Sequence, residues 1–188
     1  MSDRVSDYAY ELPDELIAQR PAQQRDESRL LVVPPGGPFQ HRGVRDFVEL
    51  LEAGDLLVVN ESKVMPARLT GRKTTGARAE ILLLAPSEPE RDDRLWEALV
   101  RPGRKLKSGH VVEVGDDLAV EVVDVLPSGN RLVRLDTPLD VETAMARYGT
   151  MPLSPYIDRE ADDSDRDRYQ TVYARRSEEH TSELQSRP

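Results

Sequence analysis

The chain has 188 residues, 38% hydrophobic and 32% charged with both signs interspersed, a balance that permits a packed core and argues against charge-driven disorder. It contains no cysteine, which excludes disulfides, thiolate metal sites, iron–sulfur ligation and a cysteine nucleophile. A formal net charge of −9 excludes a surface that is basic throughout, so any contact with nucleic acid needs local clusters of Lys and Arg.

The first ten residues carry acids and tyrosines where a targeting segment would carry a basic stretch and an apolar run. The longest apolar stretch, residues 81–85, is too short to cross a bilayer, so no membrane association and a cytoplasmic location are expected. Residues 12–19 predict a short helix, because Pro13 suits a first helical position and Asp14 and Glu15 complement the positive end of the dipole. Residues 30–33 are a compact apolar run that predicts a strand, stopped by Pro34, Pro35, Gly36, Gly37 and Pro38. Val44, Phe47, Leu50 and Leu51 share one helical face, Gly54 is placed for a left-handed cap, and residues 55–60 read as a buried strand.

From about residue 70 to residue 136 the texture changes to short strand-like runs, at 79–84, 95–100, 110–114, 118–126 and 131–135. Each break carries Gly, Pro or Asp, the pattern of a small antiparallel sandwich or barrel. The alternation of Val120, Glu121 and Val122 slips phase at Val123, which predicts a bulge. Asp140 then offers an N-cap to a helix with Val141, Ala144, Met145 and Tyr148 on one face and Gly149 at its exit. Residues 151–157 read as an ordered loop and the acidic run 158–167 as a solvated, mobile one. Tyr169 and Tyr173, four apart, could share a helix face. An all-β block between two α/β-like pieces predicts one domain inserted in another.

Residues 176–186 read RSEEHTSELQS, the translation of a common sequencing adapter, so residues 177–188 are expected to be a non-native tail and are set aside.

His41 and His110 stand without paired-ligand spacing, so no metal site is expected. No Gly-rich phosphate loop and no nucleophile elbow is present. Polar residues do bunch at strand ends. Asn60, Glu61, Ser62 and Lys63 follow the apolar run directly, then Pro66, Ala67 and Arg68; this is either a site or a hydrogen-bonded turn. Basic residues cluster at Arg68, Arg72 and Lys73, and again at Arg101, Arg104, Lys105 and Lys107. The second cluster could hold RNA phosphates or be a solvated hairpin. Tyr169, Gln170 and Tyr173 could stack on and hydrogen-bond a base, or be half-buried packing residues.

The strings YELPDELIAQ, RDESRLLVV, GDLLVVNESKVMPARLTGRK, WEALVRPGRKLKSG, MPLSPYIDR and RYQTVYA, in this order and spacing, resemble the S-adenosylmethionine:tRNA ribosyltransferase-isomerase family over residues 1–175. The family usually has Thr and Arg where Ser62 and Lys63 stand, and Pro where Ser154 stands. The resemblance implies a mixed α+β fold: a larger α/β barrel-like domain, incomplete here, with an inserted small antiparallel β-barrel domain. In this chain the larger domain would take residues 1–69 and 149–176, and the insert residues 70–148.

The implied reaction transfers and isomerises the ribosyl part of S-adenosylmethionine onto 7-aminomethyl-7-deazaguanine at a tRNA wobble position, giving epoxyqueuosine and releasing adenine and methionine. By the same resemblance, Arg68 and Arg101 are candidates for phosphate or carboxylate contacts, and Asn60 and Ser62 for positioning. Tyr169, Gln170 and Tyr173 are candidate base or ribose contacts, and Arg104, Lys105 and Lys107 candidate RNA phosphate contacts. S-adenosylmethionine enters as co-substrate, with no permanently bound cofactor and no metal, and the partner is a tRNA carrying the queuosine precursor base. A monomer is expected. Family members continue beyond RYQTVYA into motifs absent here, so this chain by itself is expected to be inactive. The competing readings are a non-catalytic RNA-binding β-barrel module and a structural protein whose polar strand ends are only turns.

Overall fold

The computed structural model describes residues 4–88 and 91–175, so the segment 177–188 lies outside the described residues. Contacts divide the chain into two units. The first runs to Val59 and takes in Ser154–Glu160; the second covers Asn60–Leu153 and resumes at Ala161.

The first unit is built from short pieces. Strands β1 (Arg29–Val32) and β2 (Gln40–Gly43) form an antiparallel ribbon with Leu31 opposite His41. The strand expected at 30–33 is therefore present, with its partner beyond the Pro/Gly loop. Gln19 ties the ends of the unit together, donating to the Tyr156 carbonyl at 3.0 Å and accepting from the Asp158 amide at 2.7 Å. Arg45 donates from Nε to Asp26 at 2.7 Å. That hydrogen bond holds the Asp26 carboxyl below its ordinary value and raises the guanidinium of Arg45.

Three expectations are corrected here. The helix expected at 12–19 is only a single 3₁₀ turn, Asp14–Leu16, with Pro13 as its flanking cap residue. The second helix is likewise a 3₁₀ run, Val44–Leu50. Gly54 does adopt a positive φ of 106°, but in a separate turn closed by the Asp55 amide on the Glu52 carbonyl at 3.1 Å. Residues 55–60 form no strand, and Leu56 and Val58 are 87% and 83% exposed. The reason is common to all three: short helices and lone strands are held by tertiary packing more than by propensity. No described residue of this unit is buried.

The second unit holds the core. Strands β3 (Arg68–Lys73), β4 (Arg78–Glu88), β5 (Asp92–Arg101), β6 (Val111–Gly115), β7 (Leu118–Val125) and β8 (Arg131–Asp136) close into an antiparallel barrel in the order β3-β4-β5-β8-β7-β6. The barrel, and not the sandwich, is thus the outcome of the short-strand pattern. Period-two alternation puts Leu69, Ile81, Trp96, Val112, Val120, Val122, Val133 and Leu135 inside, all fully buried. Trp96 satisfies its indole by donating to the Asp93 carbonyl at 2.8 Å. The slipped alternation at Val123 coincides with a register shift between Val122 and Asp124 against β8.

Helix α1 (Val141–Tyr148) packs Val141, Ala144 and Met145 onto the barrel core. Asp140 caps it, accepting from the Thr143 amide at 2.8 Å. The run read as a mobile acidic loop instead contains helix α2 (Asp163–Arg168). Its charges explain it: Asp162 is the N-cap, Asp163 and Asp165 occupy the first turn, and Arg166 and Arg168 the last, matching the helix dipole at both ends. Tyr169 is the residue that ends α2, so Tyr169 and Tyr173 do not share a helix.

Candidate functional site

The polar segment after the apolar run is brought to the tail of the described chain, more than 100 residues away in sequence. Val64 donates its amide to Gln170 Oε1 and accepts from Gln170 Nε2, both at 2.8 Å, so the side-chain amide acts as one rung of a strand ladder. Thr171 donates its hydroxyl to the Asn60 carbonyl at 3.0 Å, and the Arg175 amide donates to the Glu61 carbonyl at 2.9 Å. The Asn60 side chain accepts from the Ser62 amide at 2.8 Å, making the local turn. Asn60, Ser62 and Gln170 are thereby brought together. Tyr169 and Tyr173, on either side of Gln170 along the chain, are 37% and 45% exposed.

Behind this segment lies a cavity of about 230 Å³, with Val64, Met65, Pro66, Met145 and Met151 supplying its apolar walls. Lys63, Glu142, Arg166 and Gln170 add polar groups. Arg166 donates to the carbonyls of Ala146 and Gly149 at 2.9 and 3.1 Å, closing the C-terminal end of α1. Gly149 is required there, because a Cβ would meet the Pro66 carbonyl oxygen at 1.8 Å.

Arg68 and Arg101 are related through one carboxylate. All three face outward from the barrel: Arg68 on β3 has Nε 3.9 Å from Glu80 on β4, and Glu80 stands directly opposite Arg101 on β5. Arg68 also donates to the Leu153 carbonyl at 3.3 Å, and its buried Nε has no hydrogen-bond partner.

Arg104, Lys105 and Lys107 sit apart from the cavity, on the turn that follows β5. This turn is a 3₁₀ piece, Gly103–Lys105, anchored by the fully buried Leu106. The residue that holds it was not singled out in the sequence. Arg131, only 8% exposed, donates from Nε to the Leu106 carbonyl at 2.8 Å and from Nη2 to the Gly103 carbonyl at 2.6 Å. Its Nη1 bonds the carbonyls of Gly129 and Asn130. Parity was the available signal: Arg131, Val133 and Leu135 share the inward face of β8. Glu80 and Arg166 carried no comparable signal, since their roles depend on neighbours distant in sequence.

Among the described residues no group of three or more His, Cys, Asp or Glu is placed to hold a metal ion. Nor is any described helix long and apolar enough to cross a membrane.

Comparison with known proteins adds to this geometry. The chain is 45% identical over 177 residues to a protein of Desulfitobacterium hafniense, covering 93% of this chain and 50% of that relative. It is 48% identical over 176 residues to one of Pelotomaculum thermopropionicum, covering 92% and 50%. Both relatives are named S-adenosylmethionine:tRNA ribosyltransferase-isomerase. The crystal structure of an S-adenosylmethionine tRNA ribosyltransferase from Thermotoga maritima is 40% identical, with a TM-score of 0.38, and matches 74% of this chain and 47% of that one. The chain thus spans about half the length of the curated relatives it matches. The family model described as queuosine biosynthesis protein matches residues 5–182, including residues 177–182 of the segment read as a non-native tail. With that match covering nearly the whole sequence, the chain belongs to the queuosine biosynthesis protein family.

Proposed function

We propose that the chain is part of a tRNA-modifying transferase that moves and isomerises the ribosyl group of S-adenosylmethionine onto 7-aminomethyl-7-deazaguanine at a tRNA wobble position. The products are epoxyqueuosine, adenine and methionine. The observation that carries this reading is the high identity, over nearly all of this chain, to relatives named S-adenosylmethionine:tRNA ribosyltransferase-isomerase. The chemistry needs no metal. The sulfonium acidifies the adjacent ribose carbon, so that a base removes its proton, adenine departs with the electron pair of its glycosidic bond, the substrate amine bonds to the sugar and loses a proton, and closure of the epoxide expels methionine as the neutral thioether.

The protein's part is to position three partners and stabilise developing charge. Arg68, whose Nε stands 3.9 Å from Glu80, and Arg101 across that carboxylate would contact phosphate or carboxylate groups. Asn60 and Ser62 would position the sugar from the turn they form, and the exposed rings of Tyr169 and Tyr173 would stack on a base. Gln170, held by its two bonds to Val64, would present its amide beside the tyrosines to base or ribose. Arg104, Lys105 and Lys107 would meet RNA phosphates. A cytoplasmic monomer is the corresponding setting.

In this reading residues 70–148 are the inserted β-barrel domain, and residues 1–69 with 149–176 belong to a larger α/β domain that the relatives' remaining length completes. This chain alone then lacks transferase activity. The test fuses it to the second half of the Desulfitobacterium hafniense relative and assays adenine release from S-adenosylmethionine with precursor-bearing tRNA. The folded fusion is expected to turn over and this chain alone is not. Turnover by the chain alone, or none by the folded fusion, overturns the reading.

A further inference from the structure

Some cations of this chain are paired with carboxylates and others are not. Arg42, Arg45, Arg91, Arg134 and Arg147 stand within 2.5–3.7 Å of carboxylates. Lys73, Arg104, Lys105 and Lys107 stand in no ion pair among the described residues, although acids outnumber bases 35 to 26 in the chain. All four lie at the same turn, since Lys73 reaches from β3 to donate its Nζ to the Lys105 carbonyl at 3.1 Å.

The turn is also unusually well held. Leu106 is fully buried beneath it, and Arg131 takes the carbonyls of Gly103 and Leu106 from below. Through Gly129 and Asn130 the same guanidinium ties in the β7–β8 loop. A buried guanidinium is costly unless its donors are satisfied, and here the backbone of two loops satisfies them. Two consequences follow for the surface. The carbonyl oxygens of Gly103, Lys105 and Leu106, which would otherwise offset positive potential, are engaged by cations. The turn is also ordered in advance, so a ligand that docks on it does not bear the entropy of ordering it.

We infer that this turn is a docking surface for the phosphate backbone of RNA, and that Arg131 is the positioning residue that presents Lys73, Arg104, Lys105 and Lys107 together. The inference rests on the tRNA reading above for its partner and adds the surface and its buried support. Four unpaired cations on a fixed turn, in a chain that is acidic elsewhere, match a polyanion of closely spaced charges.

The test follows the anisotropy of a labelled tRNA transcript, and of a plain RNA stem-loop, against the 188-residue chain over a salt series. Affinity is expected to fall steeply with salt, and the triple variant R104A/K105A/K107A to reduce the slope of log K on log salt by about one for each cation removed. Arg134→Ala, which removes a cation already paired with Asp92, leaves the slope unchanged. Arg131→Met keeps every surface cation and yet weakens binding, and Arg131→Lys restores part of the loss. Where Arg131→Met loses the near-ultraviolet signal of Trp96, Lys73→Met carries the test, with a slope lower by about one.

If tRNA binds and the triple variant keeps the full slope, the docking surface is overturned while the tRNA reading stands. If the stem-loop binds through the turn and tRNA does not, the surface stands and the tRNA reading falls. Displacement of RNA by polyglutamate at equal concentration assigns the turn to an acidic polypeptide and overturns the inference.

Discussion

Gln170 shows how a residue of apparent binding chemistry acquires a second duty. Its amide replaces a missing strand neighbour for Val64, bonding both the N–H and the carbonyl, and so fixes the wall of the cavity as well as facing it. Gln170→Leu leaves two backbone groups without partners, and a loss of about 1–3 kcal/mol is expected in urea unfolding; an unchanged midpoint refutes the clamp. Gly149 works by absence of a side chain. A Cβ there would sit 1.8 Å from the Pro66 carbonyl oxygen and 2.6 Å from that of Met145, both backbone atoms that cannot swing away. Gly149→Ala is therefore expected to cost about 1–3 kcal/mol through backbone shifts, and it should loosen the Arg68–Thr150 bridge beside it. Retention of wild-type stability and of slow exchange at the Arg68 and Thr150 amides would falsify that account.

At the scale of elements, α1 is controlled by its ends. The Thr143 amide donates to Asp140 and holds that carboxyl below the ordinary aspartate value. The sign follows from linkage: with the folded pKa depressed, the cap's stabilisation is complete above the ordinary aspartate pKa and is lost as pH falls through the lower folded value. Thermal unfolding of the chain should therefore lose stability in that acid window, and Asp140→Asn should flatten this part of the profile. An unchanged acid slope in the variant would remove Asp140 as the cause. Arg166 performs the complementary task at the other end, where it takes the carbonyls of Ala146 and Gly149. The Asp140 cap and the one-face apolar spacing were legible in the sequence because both are local. The role of Arg166 was not, since it required α2, whose charges looked like a solvated run until both of its ends were seen to match the dipole.

At the scale of the molecule, the two units differ in what supports them. The barrel encloses a continuous core, whereas no described residue of the first unit is buried. Hydrogen exchange should separate them: the Val120, Val122 and Val133 amides exchange slowly, and those of Leu56 to Val59 near the unfolded rate. In the folded fusion with the relative's second half, Leu56 to Val59 should become protected. Protection of these amides in the chain alone would contradict the unpaired state seen here. An apolar run without alternation wants cover on both faces, and no described strand pairs with it.

Sequence alone was enough for the barrel's run of short strands, the slip near Val123, the cap at Asp140 and the resemblance to the family, because period, turn chemistry and motif order are properties of adjacent residues. Tertiary structure alone decided that residues 55–60 form no strand, that Gln170 closes on Val64, that Glu80 lies between Arg68 and Arg101, and that Arg131 holds the basic turn from inside. Each of these depends on which distant backbone supplies or withholds a hydrogen-bond partner. That choice is made by packing and closure of the chain, and no local pattern encodes it.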